Sequence, residues 1–172
     1  RTAAIMAGAE PRYLGHNGFP RFALDFTDVA EATLAQVSVL YLCSPSNPDG
    51  NAIDADVTRR AIEAARRHNF LVGFDESYAE LYDGEPPGGA LDVLAAMDGS
   101  ARWLDNVLVL HSLSKRSSAA GMRSGFAVGP VDVMTALNRV RLNGTACTPL
   151  PLLAAATALW SEDSHVEAMR ER

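Results

Sequence analysis

Three short runs dominated by apolar residues, 37–43, 70–74 and 106–111, the last apolar from Val107 to Leu110, alternate along the chain with stretches whose apolar positions recur at helical spacing. Largely apolar runs of this length predict strands buried on both faces, the habit of parallel sheets. Between the first two runs, Val57, Ala61 and Ala65 repeat every four residues with Ile62 beside them, while Arg59, Arg60, Arg66 and Arg67 fall elsewhere. That spacing predicts an amphipathic helix over 54–68, capped near Asp54 or Asp56, with a basic end that suits the helix dipole. Weaker patterns predict the end of a helix over 1–8 closed by Gly8, a short strand over 9–14, a turn over 15–20 and a short helix over 26–35. Further helices are predicted over 91–97, 131–141 and 150–160, the last entered through Thr148, Pro149 and Pro151. Residues 123–128 read as a fourth strand, antiparallel or at an edge, because only a few residues separate it from the third. The charged stretch 162–172 is helix-like and lacks a terminating signal, and position 1 is arginine, so the chain is expected to belong to a longer protein.

Strand and helix in alternation predict an α/β domain: a mainly parallel sheet with helices on both faces. No internal repeat, low-complexity run or linker interrupts it. In such sheets ligands bind beyond the carboxyl ends of the strands. Asn47 in the loop after the first strand, Asp75 and Tyr78 after the second, and Ser112 and Lys115 after the third all fall on that side, so three loops converge on one pocket.

Composition narrows the partners. With 48% apolar residues and a formal charge of −6, the chain has no long basic run, which argues against nucleic acid and anionic membranes. No apolar run is long enough for a spanning helix and residues 1–3 lack the regions of a secretory signal, so the cytoplasm is the expected location. Cys43 and Cys147 stand apart, outside any metal-binding spacing, and His16, His68, His111 and His165 show no ligand spacing either, so no metal site is expected.

The stretch His111-Ser112-Leu113-Ser114-Lys115-Arg116, followed by Gly121-Met122-Arg123-Ser124-Gly125, carries the chemistry. Ser112 and Ser114 offer hydroxyls and Arg123 a planar fork of donors, a cradle suited to phosphate. Cationic neighbours and desolvation favour the neutral form of a lysine amine, which attacks carbonyls, so Lys115 is a candidate Schiff-base lysine. A pyridine aldehyde phosphate requires a lysine for its aldehyde, an acid for its ring nitrogen, donors for its ring oxygen and a cationic cradle for its phosphate. Lys115, Asp75, Asn47 with Tyr78, and Ser112, Ser114 with Arg123 meet these needs in turn. Taken singly, Asp75 reads as a helix cap, Tyr78 as an interior aromatic, Asn47 as a turn residue and Arg123 as a salt-bridge partner; the set carries the weight.

Ser46-Asn47-Pro48-Asp49-Gly50, Asp75-Glu76-Ser77-Tyr78, Ser112-Leu113-Ser114-Lys115 and Gly121-Met122-Arg123-Ser124-Gly125 together resemble the ordered motifs of class I/II aminotransferases of fold type I. The match covers about half the chain directly. The resemblance implies pyridoxal phosphate as cofactor, Lys115 as its Schiff-base lysine, Asp75 on the pyridine nitrogen, Asn47 and Tyr78 on the ring oxygen, and Ser112, Arg123 and, less directly, Ser114 on the phosphate. It implies ping-pong transamination between an amino acid and a 2-oxo acid, and a homodimer when full length. It also implies that residues 1–172 are the middle of the large domain. The N-terminal segment with its phosphate loop, stacking aromatic and intersubunit tyrosine would lie outside the chain, as would the small domain with its carboxylate-binding arginine. Within the family, 113–117, 121–126 and 160–166 are similar to N-succinyldiaminopimelate aminotransferases of lysine biosynthesis, which implies glutamate as donor. Two other readings share the pattern: a pyridoxal-phosphate lyase or synthase on the same fold, and an aminotransferase-like sensing domain of a transcription regulator, marked by an upstream helix-turn-helix. Retention of Asn47, Asp75, Tyr78, Lys115 and Arg123 argues against a degenerate interaction module.

Overall fold

The computed structural model describes residues 1–14, 29–97, 103–144 and 148–171. The predicted turn over 15–20 with His16, the start of the 26–35 helix, and Cys147 lie outside the described residues. In chain order the elements are α1 (Thr2–Met6), α2 (Glu31–Leu34), β1 (Val39–Cys43), α3 (Ala55–His68), β2 (Leu71–Asp75), α4 (Ala90–Met97), β3 (Val107–Ser112) and α5 (Leu113–Arg116). After a 3-10 turn over Ala120–Met122 follow β4 (Gly125–Val128), α6 (Val131–Gly144), α7 (Leu150–Trp160) and α8 (Ser164–Arg170).

The sheet has the order β1-β2-β3-β4. The first three strands are parallel, with Cys43 opposite Asp75 and Asp75 opposite Leu110, and β4 runs antiparallel to β3 with Ser112 opposite Gly125. The α/β class with a mainly parallel sheet is therefore as the pattern predicts. Because β1, β2 and β3 follow one another in one direction, the crossovers through α3 and α4 place both helices on the same face. There Ala61, Ile62, Ala65 and Leu94 close over Leu42, Val72, Phe74, Val107 and Val109, all buried, to form the core. The opposite face is buried at Leu108 and exposed at Val39 and Tyr41.

Local chemistry explains the boundaries. The Asp54 carboxylate caps α3 by accepting from the Val57 N–H at 2.8 Å, and Asn69 ends the helix in the left-handed region at φ 56°. Residues 9–14 form no strand, contrary to expectation: Pro11 has no N–H to offer a ladder, and β1 pairs with β2. The fourth strand begins at Gly125 rather than 123, because Arg123 sits at φ 49° and cannot continue an extended ladder.

Gly125 is a position where only glycine fits. A Cβ there would stand 2.5 Å from the backbone carbonyl oxygen of His111, which the β3–β4 pairing holds in place. Gly125→Ala is expected to cost about 1–3 kcal/mol of stability, read as a lower denaturant midpoint with unchanged slope.

Candidate active site

β2 is flanked by β1 and β3, so the loop after β1, the turn after β2 and the helix after β3 stand side by side at the carboxyl ends of the parallel strands. Asn47 projects from the first, and its Nδ2 donates to the Tyr78 hydroxyl of the second at 3.0 Å. Lys115, on α5, places Nζ 5.4 Å from the centroid of the Tyr78 ring, within cation–π range. One phenol thus meets an amide at its hydroxyl and an amine at its face. Asn47 and Lys115 are exposed, leaving this rim open to solvent.

Asp75 closes β2 between the other two loops. Its Oδ1 accepts from the Ser77 N–H at 3.1 Å and from the Ser77 hydroxyl at 2.6 Å, which holds the carboxylate by a local turn. Beside it in the sheet, the Cys43 thiol is pushed up from its ordinary pKa, first by burial and then by the Asp75 charge, and it donates to the Pro45 carbonyl at 3.3 Å. Cys43 therefore stays a protonated, inert thiol at neutral pH.

Ser112 is both the last residue of β3 and the N-cap of α5. Its Oγ accepts from the Ser114 N–H at 3.1 Å and lies 2.9 Å from the Ser114 hydroxyl and 3.5 Å from the Ser124 carbonyl. Leu113, fully buried, donates its N–H to the same Ser124 carbonyl at 3.0 Å, so the hydroxyl pair and the segment after Arg123 are stitched together. Arg123 is exposed. It donates one N–H to the Ala120 carbonyl at 3.0 Å, which spends one of the five donors a guanidinium carries.

Two further groups frame the site and were not singled out as site residues by the sequence. Glu76, 5% exposed, accepts from the Ala90 N–H at 2.6 Å and pairs with His111 Nε2 at 2.9 Å. The His111 ring stacks on Phe126 of β4 at 4.9 Å. This pair ties the residue after Asp75 to the residue before Ser112 and anchors the start of α4. Arg116, beside Lys115, is also buried among partners from Glu80, α7 and the residues ahead of α8. A charged residue directly after an apolar strand was the signal for Glu76; its partner lies 35 positions away, so spacing alone does not reveal it.

Among the described residues, no cluster of His, Cys, Asp and Glu is arranged to hold a metal ion, and no helix is long and apolar enough to cross a membrane.

A primary amine facing an amide–phenol pair, a carboxylate and a hydroxyl pair stand at the carboxyl ends of three parallel strands of an α/β sheet. The whole chain, residues 1–172, matches the family model of aminotransferase class I and II, and the chain belongs to that family. Over 138 residues it is 41% identical to a probable aminotransferase of Mycobacterium tuberculosis, covering 78% of this chain and 31% of that protein. An aminotransferase from Neisseria meningitidis superposes with a TM-score of 0.86 at 30% identity, covering 99% of this chain and 42% of that one. A probable N-succinyldiaminopimelate aminotransferase from Thermus thermophilus superposes with a TM-score of 0.77 at 28% identity, covering 98% and 44%. The chain thus spans less than half the length of each of these three proteins. Members of the family use pyridoxal phosphate, and the donor set here, with Lys115 facing the Asn47–Tyr78 pair, fits that group chemically.

Proposed function

We propose that the full-length protein is a pyridoxal-phosphate-dependent aminotransferase that moves an amino group from glutamate to a 2-oxo acid. We further propose that it serves the succinylated diaminopimelate step of lysine biosynthesis, as a cytoplasmic homodimer. Residues 1–172 are then part of its cofactor-binding large domain, completed by an N-terminal segment and a C-terminal small domain. The observation that carries this reading is the approach of Lys115 Nζ to the face of Tyr78 while Asn47 holds that tyrosine by its hydroxyl.

When bound, pyridoxal phosphate supplies an electron-poor ring that stabilises negative charge at the substrate Cα. The chain's own residues do the rest. Lys115 would hold the group's aldehyde through Nζ, and its free amine would be the base that moves a proton at the substrate Cα. Asp75, held by Ser77, would present negative charge to the pyridine nitrogen and favour its protonated form. Tyr78 and Asn47 would donate to the ring oxygen, and Ser112, Ser114 and Arg123 would hold the phosphate. A family neighbour that is a probable N-succinyldiaminopimelate aminotransferase supports the narrower substrate.

The test is an absorbance spectrum of the full-length protein with pyridoxal phosphate before and after borohydride, with mass mapping of the adduct and then glutamate half-reactions against several 2-oxo acids. A visible band, reduction onto Lys115 and conversion of glutamate are the expected results. A full-length protein without any adduct would sink the reading, and an adduct with another preferred acceptor would remove only the lysine-pathway part.

A further inference from the structure

Lys115 stands on a helix of four residues, Leu113–Arg116, too short to hold its own geometry. Something outside it must fix where the amine points. The next residue, Arg116, is 8% exposed and reaches three other segments. Its Nη1 donates to the Leu159 carbonyl at 2.9 Å near the end of α7, its Nη2 pairs with Asp163, and its Nε lies 3.7 Å from Glu80 Oε1. The guanidinium also lies 5.3 Å from the Trp160 ring centroid.

Glu80 decides what this network does. It lies two residues beyond Tyr78, in the turn that carries the phenol, and is held from its other side by Arg170 Nη1 at 3.0 Å. The same two segments therefore touch twice in neighbouring pairs: Lys115 over Tyr78, and Arg116 against Glu80. The second contact stands one residue along from the first on the helix and two residues along on the turn.

We infer that Arg116, braced by Glu80, is a positioning residue that sets where the Lys115 amine stands against Tyr78. This inference rests on the aminotransferase reading of the site. A planar fork suits the role because its donors point in fixed directions at a helix-end carbonyl and two carboxylates at once, a geometry a freely rotating ammonium does not fix. Displacement of the reacting amine by about 1 Å is enough to cost on the order of 100-fold in rate.

The experiment uses the full-length protein loaded with pyridoxal phosphate, as wild type, Arg116→Gln, Glu80→Gln and the double variant. Arg116→Gln is expected to lower kcat of the glutamate half-reaction by about 30- to 100-fold, with KM for glutamate changed by less than about 2-fold, the signature of lost positioning rather than lost binding. The pH midpoint of the visible cofactor band is expected to move by at least about 0.5 unit, because the imine nitrogen samples a different surrounding. Glu80→Gln is expected to lower kcat by about 10-fold, and the double variant to fall within about 2-fold of Arg116→Gln alone. In the protein without cofactor, backbone exchange over 113–119 is expected to quicken by about 10-fold, since the Ser117 and Ala119 N–H groups both donate to Leu113. Should Arg116→Gln fail to fold, Glu80→Gln, whose side chain is 37% exposed, decides alone. Unchanged kcat and band midpoint, a rise in KM with kcat retained, or strictly additive losses would each overturn the inference while the wild-type band leaves the aminotransferase reading intact. A wild-type protein with no band overturns both.

Discussion

Lys115→Ala in the full-length protein is expected to abolish the borohydride-fixed adduct and to lower turnover by at least about 1,000-fold, while the melting temperature stays within about 2 °C. The two halves of this expectation come from different parts of the site. Lys115 is exposed and its contact in the fold is the Tyr78 face at 5.4 Å, so its removal unpacks nothing. The helix that carries it is held instead by the Ser112 cap, by Leu113 in the interior and by Arg116. Lys115 is also the one lysine in the chain, every other cationic side chain being arginine, so an adduct on residues 1–172 has a single possible address. Differential scanning calorimetry together with the spectrum checks both parts. Full turnover in the alanine variant would remove Lys115 from the mechanism, and a collapse in melting temperature would show that the lysine is a structural element.

Glu76→Ala is expected to cost about 3 kcal/mol of stability, because it strands the Ala90 N–H and leaves His111 without its carboxylate in a buried setting. Glu76→Gln is expected to cost about half as much, since one amide oxygen serves either Ala90 or His111 but not both well. Denaturant unfolding of the two variants gives the ordering. A cycle with His111→Ala is expected to show a coupling of at least about 1 kcal/mol. A loss below about 0.5 kcal/mol for Glu76→Ala would mean that water satisfies the freed groups and that the pair does not clamp the strand ends.

How far the sequence discloses this fold depends on whether the information is local. The apolar runs of β1, β2 and β3 and the four-residue repeat of α3 are local, and each element lies within two residues of its expected bounds at either end. Residues Leu150–Trp160 form α7 as expected, because proline at its start marks the boundary chemically. By contrast α5 is a single turn, below the length at which periodicity exists, and only its Ser112 cap could have announced it. Residues 9–14 read as a strand but pair with none of the four strands of the sheet, and a strand is a property of two segments. In the site, the strand-end rule alone placed Asn47, Tyr78 and Lys115 on one rim, and the structure brings these three together. Glu76 with His111 and Arg116 with Asp163 are pairings across 35 and 47 positions, fixed by the sheet and by α7 rather than by any spacing along the chain.

The Ser112 hydroxyl has a property that its double placement creates. It holds α5 by accepting a proton, through the bond from the Ser114 N–H, whereas it gives its own proton to the Ser114 oxygen. A hydroxyl accepts and donates independently. On the proposed role of Ser112 in holding the cofactor phosphate, that anion would compete only for the donated proton and leave the bond from the Ser114 N–H in place. In the proposed enzyme, capture of the phosphate and retention of the lysine-bearing turn would thereby be decoupled within a single oxygen atom.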